Sequence, residues 1–217
     1  DRRYRTEAAS CGEYSTISNG LGEINAIFDE ITTTGNHAKM SEFLEALDKL
    51  ITTTDSKEHA TVLRNKAEQI AQVLNSNSKS LDSVENQMRS QTDQTVADIN
   101  AILEQVSLLN TKIRDDNFYG NPSNELNDQR NMLLDQLSEY VDIDVKRTPV
   151  EISGGIVVDQ LSVEIRGSGN DAKNIPPVVL VDGGNYNGLA TQYDETTGQA
   201  SIHFTDDQGM MIQVDRG

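Results

Sequence analysis

The sequence predicts an α+β protein in two segregated parts, an elongated bundle of long helices (a helical rod) followed by an antiparallel β-rich domain. Through residues 1–141 apolar residues recur at spacings of three and four, the pattern of helices that pack along one stripe. After residue 141 short apolar alternations are separated by glycine-rich turns, as in strands. A content of 35% hydrophobic and 5% aromatic residues also suits a narrow bundle better than a compact globule.

These patterns predict two domains. The first is a long-helix bundle domain at 1-141. The second is a β-rich domain at 142-217, which we expect to be partial because the chain stops directly after a predicted strand.

The first predicted helix spans Tyr14 to Ile31 and carries an unbroken heptad seam. The seam residues are Tyr14, Ile17, Leu21, Ile24, Phe28 and Ile31. Glycines at 12, 20 and 22 weaken this helix, so we expect packing against a neighbour to hold it. A shorter second helix follows and ends at a run of three threonines. Its apolar face consists of Met40, Phe43, Leu44, Leu47, Leu50 and Ile51.

A third, very long helix is predicted from Lys57 to Phe118. Asp55 and Glu58 have the spacing of a capping box, and no Pro or Gly then occurs before Gly120. At about 1.5 Å per residue such a helix extends on the order of 90 Å.

The seam of this long helix changes character along its length. Its 3-4 spacing runs through Ala60, Leu63, Ala67, Ile70, Leu74, Asn77, Leu81, Val84 and Met88. Gln91 and Thr95 then occupy seam positions, and a displaced apolar stripe resumes at Ile99. Polar residues here and at Asn77 either set the helix register or face solvent. A continuous helix is favoured, with a short break between residues 89 and 96 as the competing interpretation.

A fourth helix and several strands complete the chain. Gly120 and Pro122 stop the long helix, and Ser123 or Asn124 is placed to cap the next one. The buried face of the fourth helix is supplied by Leu126, Leu133, Leu134, Leu137 and Val141. Short strands are predicted at Ile143/Val145, Val150/Ile152, Ile156/Val158, Leu161/Val163/Ile165, Val178/Leu180, Ile202/Phe204 and Met211 or Ile212/Val214. Predicted turns lie between strands at 154–155, 167–170, 182–185 and 207–209.

Charge and hydropathy exclude several classes of partner. Lys and Arg number 18 against 35 Asp and Glu, so the formal net charge is −17. Nucleic acid and anionic membrane surfaces would repel such a chain, and we predict neither as a partner. No stretch approaches the roughly 18 apolar residues of a membrane span, and the first residues lack the apolar core of a signal peptide.

Residues capable of chemistry are scattered. His37, His59 and His203 fall in a predicted loop, helix start and strand, without Cys or Glu at metal-ligand spacing. Cys11 is the single cysteine, which excludes an internal disulfide. We therefore predict no catalytic residue, no cofactor and no metal site, and we expect that the protein is not an enzyme.

Two segments resemble the flagellar hook-associated protein 1 family. In residues 96–113, Ile99-Asn100, Leu109-Asn110 and Ile113 are similar to the family's long-helix signature. Residues 120–138 are similar to its Gly, Asn-x-Leu, Asp-Gln-Arg, Leu, Leu-Ser motif, although Asn127 and Asn131 replace the usual leucine and aspartate and so affect its local ion pairing. The resemblance covers residues ~10 to 145.

This resemblance implies a non-catalytic structural subunit of the bacterial flagellum that joins hook to filament as a mechanical adaptor. It implies an extracellular location at that junction and export without a cleaved signal peptide. The implied partners are flagellar hook protein, hook-associated protein 3 and copies of itself in the assembled ring. We expect the isolated piece to be monomeric in solution. The alternative is another secreted helical-rod protein, either a flagellin-like or cap-like subunit or a surface adhesin with a ligand-binding β-domain.

Overall fold

The computed structural model describes residues 2–28, 35–53, 56–121, 124–152, 155–167, 177–206 and 209–212. The helices are α1 (Arg2–Ile27), α2 (Asn36–Thr52), α3 (Lys57–Phe118) and α4 (Asn124–Leu137). The strands are β1 (Ile143–Ile152), β2 (Ile156–Ile165), β3 (Val179–Asp182), β4 (Asn185–Tyr186), β5 (Gly188–Tyr193), β6 (Ala200–Thr205) and β7 (Met211–Ile212). The predicted class, α+β with long helices preceding antiparallel strands, is confirmed.

The chain forms two compact units. The first, which we call the helical unit, contains residues 16–90. The second, the mixed unit, contains residues 1–15 and 91–217. The predicted domains at 1-141 and 142-217 stay a prediction about which parts of the chain fold independently.

Helix α1 begins at Arg2, earlier than predicted, because its first turns are held by ion pairs. Arg5 contacts Asp135 at 2.8 Å and Arg2 contacts Asp144 at 3.0 Å. Packing against a neighbour was expected to hold the helix, and α1 does contact neighbours, but not through its heptad seam. The described members of the seam are exposed, namely Tyr14, Ile17, Leu21, Ile24 and Phe28. Ile31 lies outside the described residues.

The neighbour of α1 in the helical unit approaches the glycine side of the helix instead of the seam. A Cβ added to Gly20 would lie 3.8 Å from the terminal methyl carbon of Met88. Gln87 Nε2 donates to Glu23 Oε1 at 2.8 Å. Gly20 and Glu23 each precede a seam residue by one position, a rotation of about 100° around the helix. The seam is therefore turned away from α3.

Helix α3 is unbroken over its 62 residues, so the competing break at 89–96 is absent. Helix α2 lies beside α3, and Lys66 Nζ on α3 donates to Glu42 Oε2 on α2 at 2.6 Å. Asn77, one of the polar seam residues, donates to the Asn36 side chain at 3.2 Å. At the start of α3 the His59 amide donates to Ser56 Oγ. The predicted cap Asp55 lies outside the described residues.

A single apolar core joins the second half of α3 to α4 and the strands. The first buried residue of α3 is Val96, and earlier seam residues are at best half-buried. The buried cluster contains Val96, Ile99, Leu103, Val106, Leu134, Leu137, Ile143, Leu161, Val163, Leu180, Val181 and Leu189. Full burial of one such side chain contributes roughly 1.5–3 kcal/mol. This core holds the helices of the mixed unit against its strands.

The strands of the described residues form two antiparallel sheets, with strand orders β1-β2-β3-β4 and β5-β6-β7. β1 is one strand of 10 residues where two short strands were predicted. The proline at position 149 is tolerated because β1 is an edge strand with one side free of ladder hydrogen bonds. β4 and β5 were missed, since Asn185 belongs to a predicted turn and Gly188–Tyr193 lacks alternating bulky apolar residues.

The turn predicted at 182–185 is confirmed, and Gly183 adopts a φ of 60° there. Left-handed backbone of this kind favours glycine. Several other residues of the predicted turns, helix ends and strands lie outside the described residues. They are Pro122, Ser123, Gly154, Ser168, Gly169, Asn170, Asp207, Gln208 and Val214.

Candidate functional site

Polar side chains on α3 and α4 form hydrogen bonds with one another and with the strands and turns of the mixed unit. We call this set the helix–sheet joint and define it as Asp93, Asn100, Asn110 and Arg130 with their partners. Asp93, Asn100 and Asn110 are separated by seven and ten residues, about two and three turns of one helix. The joint therefore follows α3 along the side that carries the apolar core.

Asn100 pairs with both backbone groups of Leu189 at the start of β5. Its Nδ2 donates to the Leu189 carbonyl at 2.8 Å, and its Oδ1 accepts from the Leu189 amide at 2.7 Å. A side-chain amide has the one donor and one acceptor that a neighbouring strand would otherwise supply. A Cβ on Gly188 would lie 2.8 Å from Thr205 Oγ1 and 3.2 Å from Asn100 Oδ1, so glycine allows this close approach.

Asn110 connects three elements from a buried position. Its Nδ2 donates to the carbonyl of Gly183 in the β3–β4 turn at 2.8 Å. Its Oδ1 accepts from Arg130 Nη1, on α4, at 2.9 Å. Buried polar groups stabilise a fold when their hydrogen bonds are made and destabilise it when one partner is lost. The amide therefore holds α4 and the turn to α3 together.

Arg130 is buried, with 4% of its surface exposed. Besides Asn110 it binds Asn127 Oδ1 through Nη2 at 2.7 Å, so an amide replaces the leucine usual in the family motif at that position. Burial, aided by the nearby positive charge of Arg147, lowers the pKa of Arg130 to about 10. Among the described residues its Nε has no acceptor. The guanidinium is thus a buried cation bonded to neutral amides.

Asp93 binds the far end of β5. Its Oδ1 accepts from Thr191 Oγ1 at 2.5 Å and from the Tyr193 hydroxyl at 2.9 Å. These hydrogen bonds, that from Thr191 above all, hold the pKa of the Asp93 carboxyl below its ordinary value of 3.8. β5 is consequently bound to α3 at both of its ends.

The beginning of α1 and the end of α4 complete the mixed unit. A Cβ on Gly12 would lie 2.4 Å from the Glu139 carbonyl oxygen, so glycine allows this approach. Leu134 and Leu137, two of the predicted apolar face residues, are fully buried. The others, Leu126, Leu133 and Val141, are half-buried.

The residues considered for chemistry lie apart. His37 is exposed on α2, His59 pairs with Thr53 at the start of α3, and His203 lies beside Ser201 on β6. Cys11 is exposed on α1. In the described part of the chain no three His, Cys, Asp or Glu side chains are grouped as metal ligands. The prediction that the protein has no catalytic, cofactor or metal residue stays a prediction.

No helix among the described residues is long and apolar enough to cross a membrane.

Asn100, Asn110 and Arg130 belong to the motifs of the family resemblance, which predicted no contact for any of them. Asn100 and Asn110 each follow an apolar residue that is buried here, Ile99 and Leu109. An amide next to a core position is the local pattern that marks them. Asp93 has no such neighbour, and nothing in the sequence distinguishes it from the other acidic residues.

Three comparisons identify similar proteins. Residues 21–216 match the family described as Flagellar hook-associated protein FlgK helical domain. The chain is 30% identical over 207 residues to flagellar hook-associated protein 1 of Bacillus subtilis (strain 168), which covers 93% of this chain and 39% of that protein. Its fold is similar to that of the flagellar hook junction protein FlgK from Burkholderia pseudomallei, with a TM-score of 0.71 and 19% identity, covering 95% of this chain and 33% of that one. This chain therefore spans well under half the length of either relative.

Proposed function

This chain belongs to the family of the flagellar hook-associated protein FlgK, and from that premise we propose that it is part of a structural subunit joining hook to filament as a mechanical adaptor. The resemblance inferred from residues 96–138 is confirmed by the family match. The observation that carries the proposal is the helix–sheet joint, in which a long unbroken helix is bonded to both sheets by buried and half-buried amides.

A junction between hook and filament has to transmit torque without deforming. An unbroken helix resists bending because the backbone groups between its first and last turns are hydrogen-bonded within the helix. The side-chain bonds of the joint are short-range and directional, and they act together with an apolar core that excludes water. Load on α3 is then transmitted to α4 and the strands through these directional hydrogen bonds.

We place the subunit outside the cell in the bacterial flagellum, and we propose that it is exported without a cleaved signal peptide. Its proposed partners are flagellar hook protein, hook-associated protein 3 and further copies of itself in a ring. We propose that it catalyses no reaction and that the isolated chain is monomeric. The comparisons give less support to the alternatives, a flagellin-like or cap-like subunit or a surface adhesin.

The proposal is tested in the source bacterium by replacing the gene with variants of the full-length protein. Asn100→Ala together with Asn110→Ala removes the amide bonds of the joint, and Gln91→Ala alters an exposed residue on the same helix as the control. We expect the double variant to lose filaments under swimming shear, leaving hooks on the cells and flagellin in the medium.

The matched Gln91→Ala cells are expected to keep their filaments. Electron microscopy of hooks and immunoblots of the medium give the readout. Filaments that stay attached after deletion of the whole gene would contradict a junction function.

A further inference from the structure

Strand β1 forms one edge of the four-stranded sheet. It is 10 residues long, and among the described strands β2 is its one partner. The N–H and C=O groups along the free side of an edge strand can pair with a strand of another molecule. Natural proteins block such edges with prolines, charged side chains or bulges.

Two hydrogen bonds show which residues of β1 point to its free side. The Arg166 amide donates to the Asp142 carbonyl at 2.9 Å, so these two residues form a hydrogen-bonded pair. The Ile165 amide instead donates to the Val178 carbonyl at 2.9 Å and so points away from β1. Bonded and non-bonded pairs alternate along an antiparallel ladder, and the register of β1 and β2 is continuous. The backbone groups that point to the free side therefore belong to the odd-numbered residues Ile143, Val145, Arg147, Pro149 and Glu151.

The free side of β1 is occupied at its beginning. Arg166 Nη2 donates to the Ile143 carbonyl at 2.8 Å. Beyond that point the backbones of Val145, Arg147 and Glu151 make no hydrogen bond on this side with a described residue. Pro149 follows Arg147 by two positions, so it is the next residue on the free side, and it has no N–H to donate.

We propose that Pro149 keeps β1 from pairing with the β1 strand of a second copy of this chain. In the symmetric antiparallel register centred on Arg147, Pro149 of each copy lies opposite Val145 of the other. Without an N–H on the proline, neither of the two Val145 carbonyls receives the hydrogen bond that the ladder would supply. The inference does not rest on the flagellar role of the chain.

Arg147 is a second obstacle to the same pairing. Its side chain is exposed, and in the symmetric register the two Arg147 side chains lie directly opposite each other. Like charges placed opposite each other across two strands destabilise the pair. Salt screens such exposed charges, whereas the missing N–H of Pro149 acts at any ionic strength.

Sedimentation velocity of the 217-residue chain tests the proposal with a matched pair of variants. Arg147→Thr removes the charge repulsion and keeps the proline, and Arg147→Thr combined with Pro149→Val removes both obstacles. We expect the single variant to stay monomeric. The double variant is expected to double its mass at the same concentration, because its free edge then carries an uninterrupted row of donors and acceptors.

A second pair of measurements separates edge pairing from added apolar surface. Arg147→Thr combined with Thr148→Val places the same apolar side chain at the neighbouring exposed position, whose backbone is bonded to β2. This control is expected to stay monomeric. Hydrogen exchange of the Val145 amide is expected to slow several-fold on association of the Pro149→Val double variant and to stay unchanged in the control.

The proposal is overturned if the Pro149→Val double variant sediments as a monomer, or if the Thr148→Val control associates to the same extent. Association that leaves exchange of the Val145 amide unchanged would place the contact elsewhere and would also overturn it. So would a wild-type chain that already dimerises with a protected Val145 amide.

Discussion

Asn100 supplies the backbone of β5 with the two hydrogen bonds that a strand neighbour would make. Leu189 lies 89 residues further along the chain, so no local sequence pattern identifies it as the partner. The resemblance to a family signature singled out Asn100 and Asn110 but gave neither of them a partner. What such residues bind depends on the tertiary fold.

Replacing Asn100 with alanine is expected to lower the free energy of unfolding of the mixed unit by about 1–3 kcal/mol, because it leaves both backbone groups of Leu189 without partners. Urea unfolding followed by circular dichroism measures the loss. Gln94→Ala, which removes an exposed side chain from the same helix, is expected to change stability by less than about 0.5 kcal/mol. Equal effects of the two substitutions would argue against the Asn100 bonds.

The contribution of Asp93 to the stability of the helix–sheet joint depends on pH. Because its pKa is lowered in the fold, the unfolded chain binds a proton more readily than the folded chain. The stabilising contribution is therefore fully present above the ordinary pKa of 3.8 and is lost as pH falls below it toward the folded pKa.

We expect Asp93→Asn to remove part of the acid destabilisation and to speed exchange of the β5 amides at neutral pH. Hydrogen exchange at pH 7 and unfolding between pH 5 and pH 3 are the measurements. An unchanged acid profile in the variant would contradict the bonds from Thr191 and Tyr193.

At the scale of the elements, the periodicity of α1 predicted its helical conformation but not which side of the helix contacts a neighbour. The heptad spacing correctly predicted a helix, yet the seam is exposed and the glycine face meets a neighbour. Periodicity identifies an apolar stripe and does not say whether a partner within the chain covers it. The same limit explains the missed β5, whose position depends on side chains of α3.

The glycines of α1 offer a matched test of its contacts. Gly12→Ala is expected to destabilise the mixed unit, since its Cβ would lie 2.4 Å from the Glu139 carbonyl oxygen. Gly22→Ala meets nothing within 4 Å and should stabilise the helix by roughly 0.5–1 kcal/mol. Thermal unfolding of both variants is the measurement. A stabilising effect of Gly12→Ala would show that α1 does not approach the Glu139 carbonyl after α4.

Burial along the helices predicts unequal responses to truncation. Leu134→Ala removes a fully buried side chain of α4 and is expected to cost about 2–5 kcal/mol. Ile17→Ala alters a seam residue that is 51% exposed and is expected to cost less than about 0.5 kcal/mol in this chain. Urea titrations of the two variants measure the difference. A large loss from Ile17→Ala would mean that the seam is covered in solution.

For the whole molecule, class and helix order followed from the sequence because long periodic segments need few assumptions. The connection between helices and strands did not, because the core cluster is assembled from residues far apart in the chain, such as Leu103 and Leu180. The family match covers residues 21–216 and so includes this combination of helix, joint and sheets. The proposed mechanical function depends on α3 being one uninterrupted helix.

A distance measured along α3 tests that dependence most directly. Spin labels at exposed positions Asn75 and Gln105, in a Cys11→Ser background, are separated by 30 residues, or about 45 Å at 1.5 Å per residue. Double electron–electron resonance is expected to give a single narrow distribution near that distance. A broad distribution, or one centred well below it, would show a break or a hinge within the helix and would contradict a load-bearing α3.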